Sequence, residues 1–155
     1  MGGDGIPSQG RLLGIDHGRV RIGLAITDPA QTLASPLSTR QSQGVDRDRH
    51  WFRTLITQEA IAGIVIGLAV HGDGRESRQS GEARKFGDWF RDELGLPVTY
   101  FDERYTSIEA LAYLQAAGTT KKKRKEKLDR VAAQIMLKGY LESSREGRAP
   151  GALGD

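Results

Sequence analysis

The sequence predicts an α/β domain whose mixed five-stranded sheet has three antiparallel strands followed by two parallel ones, with helices on its faces. Three observations lead there. Two apolar stretches, 11–16 and 20–27, are joined by a glycine-bearing turn. A continuous apolar run, Ala62-Gly-Ile-Val-Ile-Gly67, has strand length and no polar alternation, as a strand buried on both faces requires. Stretches with a one-sided apolar stripe then alternate with strands, and helical crossovers make the later strands parallel to the first. With 155 residues, one domain can bury roughly two-thirds of its unfolded surface.

Taken in order, Met1 to Gly10 holds four glycines and a proline and reads as a flexible leader. Residues 11–143 form the folded domain, and 144–155 a flexible tail. Arg11 to Asp16 and Val20 to Thr27 make a strand pair. Thr27-Asp28-Pro29 is a turn in which Asp28 accepts backbone hydrogen bonds. A third strand is expected over Thr32 to Leu37, at an edge because of Pro36.

From Val45 to Glu59, the apolar residues Val45, Phe52, Leu55 and Ile56 lie on one helical face. His71-Gly-Asp-Gly74 breaks the chain after the buried strand. A second helix, about Ser77 to Leu94, turns Ala83, Phe86, Phe90 and Leu94 inward, and Gly95 and Pro97 end it. Val98 to Glu103 is the last strand. Thr106-Ser-Ile-Glu109 is a capping box for a further helix, with Ile108, Leu111 and Ala112 inward. The final helix is expected from about Glu126 to Ser143.

Composition narrows the function classes. There is no cysteine, hence no disulfide framework and no thiolate metal site. No apolar run is long enough to span a bilayer and no signal-peptide pattern opens the chain, so a soluble cytoplasmic protein is expected. The net charge of +3 conceals an asymmetry. Lys121 to Lys127 carries six basic residues and one glutamate, +5 in all, and leaves −2 for everything else. Such a run is either a solvated loop or a segment that tracks phosphates.

Three acidic positions fall in informative places. Asp16 closes the first strand, and Asp102 and Glu103 close the last, so all lie on one edge of the sheet, where open α/β folds carry their sites. Asp129 begins a stripe with Ala132, Ala133, Met136 and Tyr140. Gathered acids repel one another, and a hard divalent cation such as Mg²⁺ resolves that conflict. Each acid has a plainer reading. Asp16 could be a turn residue, Asp102 and Glu103 could favour a helix start, and Asp129 could cap a helix or pair with the basic run.

Leu13-Gly-Ile-Asp16-His-Gly-Arg-Val-Arg-Ile-Gly23-Leu-Ala-Ile-Thr-Asp28-Pro, Ala34-Ser-Pro-Leu37, Ile66-Gly-Leu68 with Gly72-Asp-Gly74, Arg84-Lys-Phe86, Asp102-Glu-Arg104 with Thr106, and Asp129-Arg-Val-Ala-Ala133 occur in that order. In these pieces the chain resembles the YqgF/RuvX family of the RNase H-like superfamily, described as Holliday junction resolvases or pre-16S rRNA processing nucleases. Ala69 departs from the family, which commonly has proline there.

The resemblance implies an RNase H-like nuclease domain. It also implies a carboxylate trio, Asp16, Glu103 and Asp129, holding Mg²⁺ or Mn²⁺, with Glu103 rather than Asp102 in the site. Two ions roughly 4 Å apart would then serve phosphodiester hydrolysis. Arg19, Arg21, Arg104 and the run Lys121, Lys122, Lys123, Arg124 and Lys125 are the candidates for holding substrate phosphates. No histidine is assigned as a ligand, though His17 lies beside the site. The expected partners are pre-rRNA or branched DNA, with ribosomal particles behind the former and no membrane. The rivals are a non-catalytic nucleic-acid-binding module and, less well supported by so short a chain, an actin-like ATP-binding domain.

Overall fold

A computed structural model describes residues 4–18, 20–68, 78–102 and 121–148, with side chains of the last helix described over 127–143. The elements are β1 (Arg11–His17), β2 (Arg21–Thr27), β3 (Ala34–Gln41), α1 (Val45–Glu59), β4 (Ile61–Leu68), α2 (Arg78–Leu94), β5 (Val98–Asp102) and α3 (Lys121–Arg148). The sheet order is β3-β2-β1-β4-β5. β1 with β2 and β2 with β3 are antiparallel, whereas β1 with β4 and β4 with β5 are parallel. This is the predicted mixed sheet. Short turns return the first strands alongside themselves, and α1 and α2 carry the chain back across the sheet between the parallel ones.

Two cores lie on opposite faces of the sheet. Leu13, Ile15, Ile22, Leu24, Ile64 and Ile66 pack against Phe52 of α1 and Phe90 of α2. Leu12, Ala25 and Val65 pack against Ala133, Met136, Leu137 and Tyr140 of α3. Because β4 feeds both cores, Ile64, Val65 and Ile66 are all fully buried, which explains a run without alternation. Phe52 meets Phe86 and Phe90 edge-on at 5.2 and 5.4 Å, the favoured aromatic geometry.

Four expectations need correction. β3 runs from Ala34 to Gln41 rather than Thr32 to Leu37. Its polar end, Ser38 to Gln41, pairs with Leu24 to Arg21, so the whole of β2 gains a partner. Pro36 stands opposite Ala25, where the register shifts, and an irregular edge tolerates its missing N–H. The final helix begins at Lys121, which takes the basic run out of a loop and into its first turns, and it continues to Arg148. Lys, Arg and Glu are good helix formers and nothing in the run breaks a helix.

The segment before β1 is docked over the described residues 4–10. Ile6 is fully buried in the α3-side core. Buried Gln31 donates its amide to the carbonyls of Pro7 and Gly10, and Tyr140 donates its hydroxyl to Asp4. One apolar residue with its backbone groups satisfied outweighs the glycines around it. The expected helix beginning at the capping box Thr106 to Glu109 lies outside the described residues.

Fourth, Val45 is exposed, and the buried residues of α1 are Asp48 and Phe52. The Asp48 carboxylate accepts from the Ser42 hydroxyl at 2.6 Å, the Gln43 N–H at 2.9 Å and Arg40 at 3.1 Å. Burial pushes the Asp48 carboxyl up, but these three partners outweigh it and hold the group below its ordinary value. Its contribution to stability is therefore present above the unfolded value, about 3.9, and is lost as pH falls through the lower folded value. Asp48→Ala leaves the Arg40 guanidinium, only 12% exposed, without its partner. The expected loss is about 3 kcal/mol at neutral pH, the low end of the range for breaking a buried pair, and it shrinks in acid. Urea denaturation at the two pH values checks both.

Candidate active site

The site is built on one row across the sheet. Asp16 of β1 stands opposite Gly23 of β2 on one side and Gly67 of β4 on the other. Thr39 extends the row beyond Gly23, and Phe101 extends it beyond Gly67. Paired positions share a face of the sheet, and this is the α3 face, since Phe101 packs into that core. Asp16 thus lies in a trough, with no side chain at the positions directly beside it.

α3 is laid into this trough. A Cβ at Gly23 would overlap the carbonyl of Asp129, so only glycine lets the helix backbone come so close. The residue opposite Asp16 is therefore the point at which the Asp129 backbone meets the sheet. The next residue, Arg130, reaches Thr39 at 3.4 Å, and Ala132, Ala133, Met136 and Tyr140 continue inward as a buried stripe. Gly18 likewise makes room for the chain itself, since a Cβ there would overlap the Arg21 carbonyl.

Arg21 precedes Gly23 by two residues and points to the same face. Its Nε donates to Asp129 Oδ2 at 2.6 Å, with the side chains 35% and 20% exposed. The structure thus gives Arg21, expected to contact phosphates, a carboxylate partner within the chain. The sequence could not show this pairing, because the two residues are 108 positions apart.

The other candidates divide cleanly. Asp102 pairs with Leu68, in the row next to that of Asp16, and so belongs to the opposite face. His17 also faces away from Asp16, with its ring centroid 4.9 Å from that of Phe86. Burial lowers its pKa, against the carboxylates of Glu82 and Asp48, which raise it. Asp28 is a turn residue. It accepts from Thr32 Oγ1 and from the N–H groups of Thr32 and Leu33, and the Thr32 hydroxyl leads in holding its carboxyl at about 2.

Arg19, Glu103 and Arg104 lie outside the described residues, as do the side chains of Lys121, Lys122, Lys123, Arg124 and Lys125. Among the described residues, no three acidic or histidine side chains form a metal-holding group.

The geometry can be set against known proteins. Residues 10–143 match the family model described as "RuvX: Holliday junction resolvase". The chain belongs to the RuvX family. A relative from Rhodopirellula baltica, named "Putative pre-16S rRNA nuclease", is 46% identical over 142 residues, covering 92% of this chain and 82% of its own. A relative of the same name from Koribacter versatilis is 39% identical, covering 86% and 88%. Among solved structures, the yeast mitochondrial Holliday junction resolvase Ydc2 superposes with a TM-score of 0.55 at 11% identity, covering 90% of this chain and 80% of that one. Thermus thermophilus RuvC in complex with a Holliday junction gives 0.53 at 14% identity, covering 86% and 95%. At such identities these two establish the fold that the RuvX chain shares with resolvases.

Proposed function

We propose that this RuvX-family chain is a metal-dependent nuclease. It hydrolyses phosphodiester bonds of structured nucleic acid, processing the 5′ end of pre-16S rRNA or resolving Holliday junctions. One observation carries the reading: Asp16 sits between two glycines on the sheet edge, and at one of them, Gly23, the backbone of Asp129 comes down on the same face of the sheet.

The third carboxylate is assigned to Glu103. Phe101 shares the face of Asp16 and Asp102 does not. The family resemblance makes Glu103 rather than Asp102 that ligand, two residues on from Phe101 in the sequence. The donor set fits a hard cation, because Asp16, Glu103 and Asp129 offer only carboxylate oxygens and Asp129 already attracts the positive charge of Arg21. Mg²⁺ or Mn²⁺ ions, two in this reading, would supply an activated water at neutral pH and offset charge on the leaving oxygen.

The chain's own groups do the rest. Asp16 and Asp129 would supply the charge, and Arg21 fixes the Asp129 carboxylate through its 2.6 Å hydrogen bond. The basic run occupies the first turns of α3, the positive end of the helix dipole. Cations repel one another and the dipole there, so the arrangement is poor for stability and good for phosphates. Lys121, Lys122, Lys123, Arg124 and Lys125, with Arg19 and Arg104, would hold the nucleic-acid backbone.

No helix among the described residues is long and apolar enough to cross a membrane. The enzyme would act in the cytoplasm, on ribosomal particles if rRNA is the substrate.

Labelled precursor rRNA and four-way DNA junctions, incubated with Mg²⁺ or with EDTA, test the reading. Cleavage should appear only with Mg²⁺, and equal cleavage in EDTA would refute metal dependence. The Arg21–Asp129 contact also suits a non-catalytic binding module, since it satisfies a carboxylate without any ion. Salt-sensitive binding with no cleavage of either substrate would favour that second reading.

A further inference from the structure

A second concavity lies on the same sheet edge as Asp16 but on the opposite face of β1. It has a volume of about 310 Å³ and opens between the end of β1 and the first turns of α1 and α2. His17, the residue after Asp16, forms part of its wall, so one step along the chain separates this cavity from the candidate active site. We infer that this cavity receives one unstacked nucleotide of the nucleic-acid substrate, with the base against an aromatic wall and its phosphate beside Lys85 and Arg49. The inference rests on the nuclease reading for the identity of the strand, but not on metal or cleavage.

The wall fits a base. His17, Phe86 and Trp89 line the cavity, and Phe86 and Trp89 stack on one another on successive turns of α2, 14° from parallel with centroids 6.4 Å apart, so they make one continuous aromatic wall. Flat π-faces accept any base, which suits an enzyme that binds structure rather than sequence. Trp89 is 6% exposed, and its Nε1 is buried with no hydrogen-bond partner among the described residues. A buried indole normally finds an acceptor, and nucleobases carry several.

The rim fits a phosphate. Lys85 and Arg49 line the cavity together with Glu82 and Asp48, and the Asp48 carboxylate is already taken up by Arg40, Ser42 and Gln43. Arg49 and Arg53 also stack on the Trp89 ring, at 5.4 and 5.6 Å, which holds two guanidinium groups beside the cavity. Gly44, the N-cap of α1, has no side chain to cover the helix start at this corner, and Asp46 and Asp48 in the first turn offset part of its positive end. Cations and an aromatic wall together describe a nucleotide better than an apolar ligand. Junctions and rRNA precursors both offer unpaired nucleotides near the cleaved bond, and such a base costs least to move out of the stack.

The test uses the full-length protein in EDTA with a duplex carrying one bulged 2-aminopurine, and a fully paired duplex as control. Wild type should bind the bulged duplex about 10-fold more tightly, with the 2-aminopurine fluorescence quenched by stacking. Trp89→Leu should remove both the preference and the quenching. Lys85→Glu, at an exposed position outside the core, should weaken the bulged duplex more than the paired one. Equal wild-type affinity for the two duplexes without quenching would overturn the inference, as would a Lys85→Glu protein that keeps the full preference. Adenosine 5′-monophosphate is the second arm. If it displaces the bulged duplex at equal or lower concentration, the site takes a free nucleotide and the strand assignment fails. Cleavage is not read here, so an inactive protein that still quenches would fail the nuclease reading alone.

Discussion

Asp16→Asn is expected to lower Mg²⁺-supported cleavage by about 100-fold or more while leaving the fold in place. The substitution keeps the shape of the side chain and removes its charge. A metal ion contributes several kcal/mol of charge stabilisation in the transition state, and each 1.36 kcal/mol lost is tenfold in rate. Losing one of the three carboxylates proposed to hold it therefore costs at least about two decades. Stability should hardly move, because the neighbours of Asp16 in the row are Gly23 and Gly67, and the side chain is only partly buried. A change within about 0.5 kcal/mol shifts the melting temperature by about 2 °C or less. Single-turnover cleavage and a thermal melt on the same preparation separate the two quantities. A variant that melts normally and cleaves normally would remove Asp16 from the mechanism.

The second large effect is expected at a residue with no chemistry of its own. Gly23→Ala places a methyl group where the Asp129 carbonyl lies. The overlap is with backbone, so no side-chain rotation relieves it, and α3 must lift from β2. Overpacking costs about 1–3 kcal/mol, and a backbone clash belongs at or above the top of that range. α3 also carries Asp129, so the same shift should reduce cleavage well beyond what the lost stability explains. Gly81→Ala is the matched control. It lies in α2 with open space around its Cβ position, and should stabilise the protein by about 0.5–1 kcal/mol without altering cleavage. Chemical denaturation and cleavage under conditions where both variants are folded make the comparison.

What the sequence disclosed follows from how strongly each element is patterned. α1 has the predicted bounds, Val45 to Glu59, and β1, β2 and β4 lie within two residues of theirs, because burial on one face or both leaves a period in the residues. β3 was misplaced because half of it is polar and borrows its strand character from β2, which no local pattern reports. The start of α3 was hidden for a related reason. A run of lysines is compatible with a loop or a helix, and only the docking of the later stripe onto the sheet decides.

The candidate site was legible as an edge and a set of acids. Asp129 could be placed from the stripe it shares with Ala133 and Met136. That Gly23 is the point of approach, and that Arg21 takes Asp129 as its partner, are facts of pairing across more than a hundred residues. Asp48 left no signal in the sequence. An acid on an inward face reads as an intrusion until Arg40, Ser42 and Gln43 are seen around it.

The ion pair between Arg21 and Asp129 also bears on the order of events in the life of the protein. A half-buried carboxylate on α3 would hinder docking onto the sheet if it were left unpaired. The tethered guanidinium acts as a place-holder, so the chain can finish folding before it meets any metal. Assembly and activation are then separate steps, and stripping the ions should leave a folded, reloadable protein rather than a denatured one.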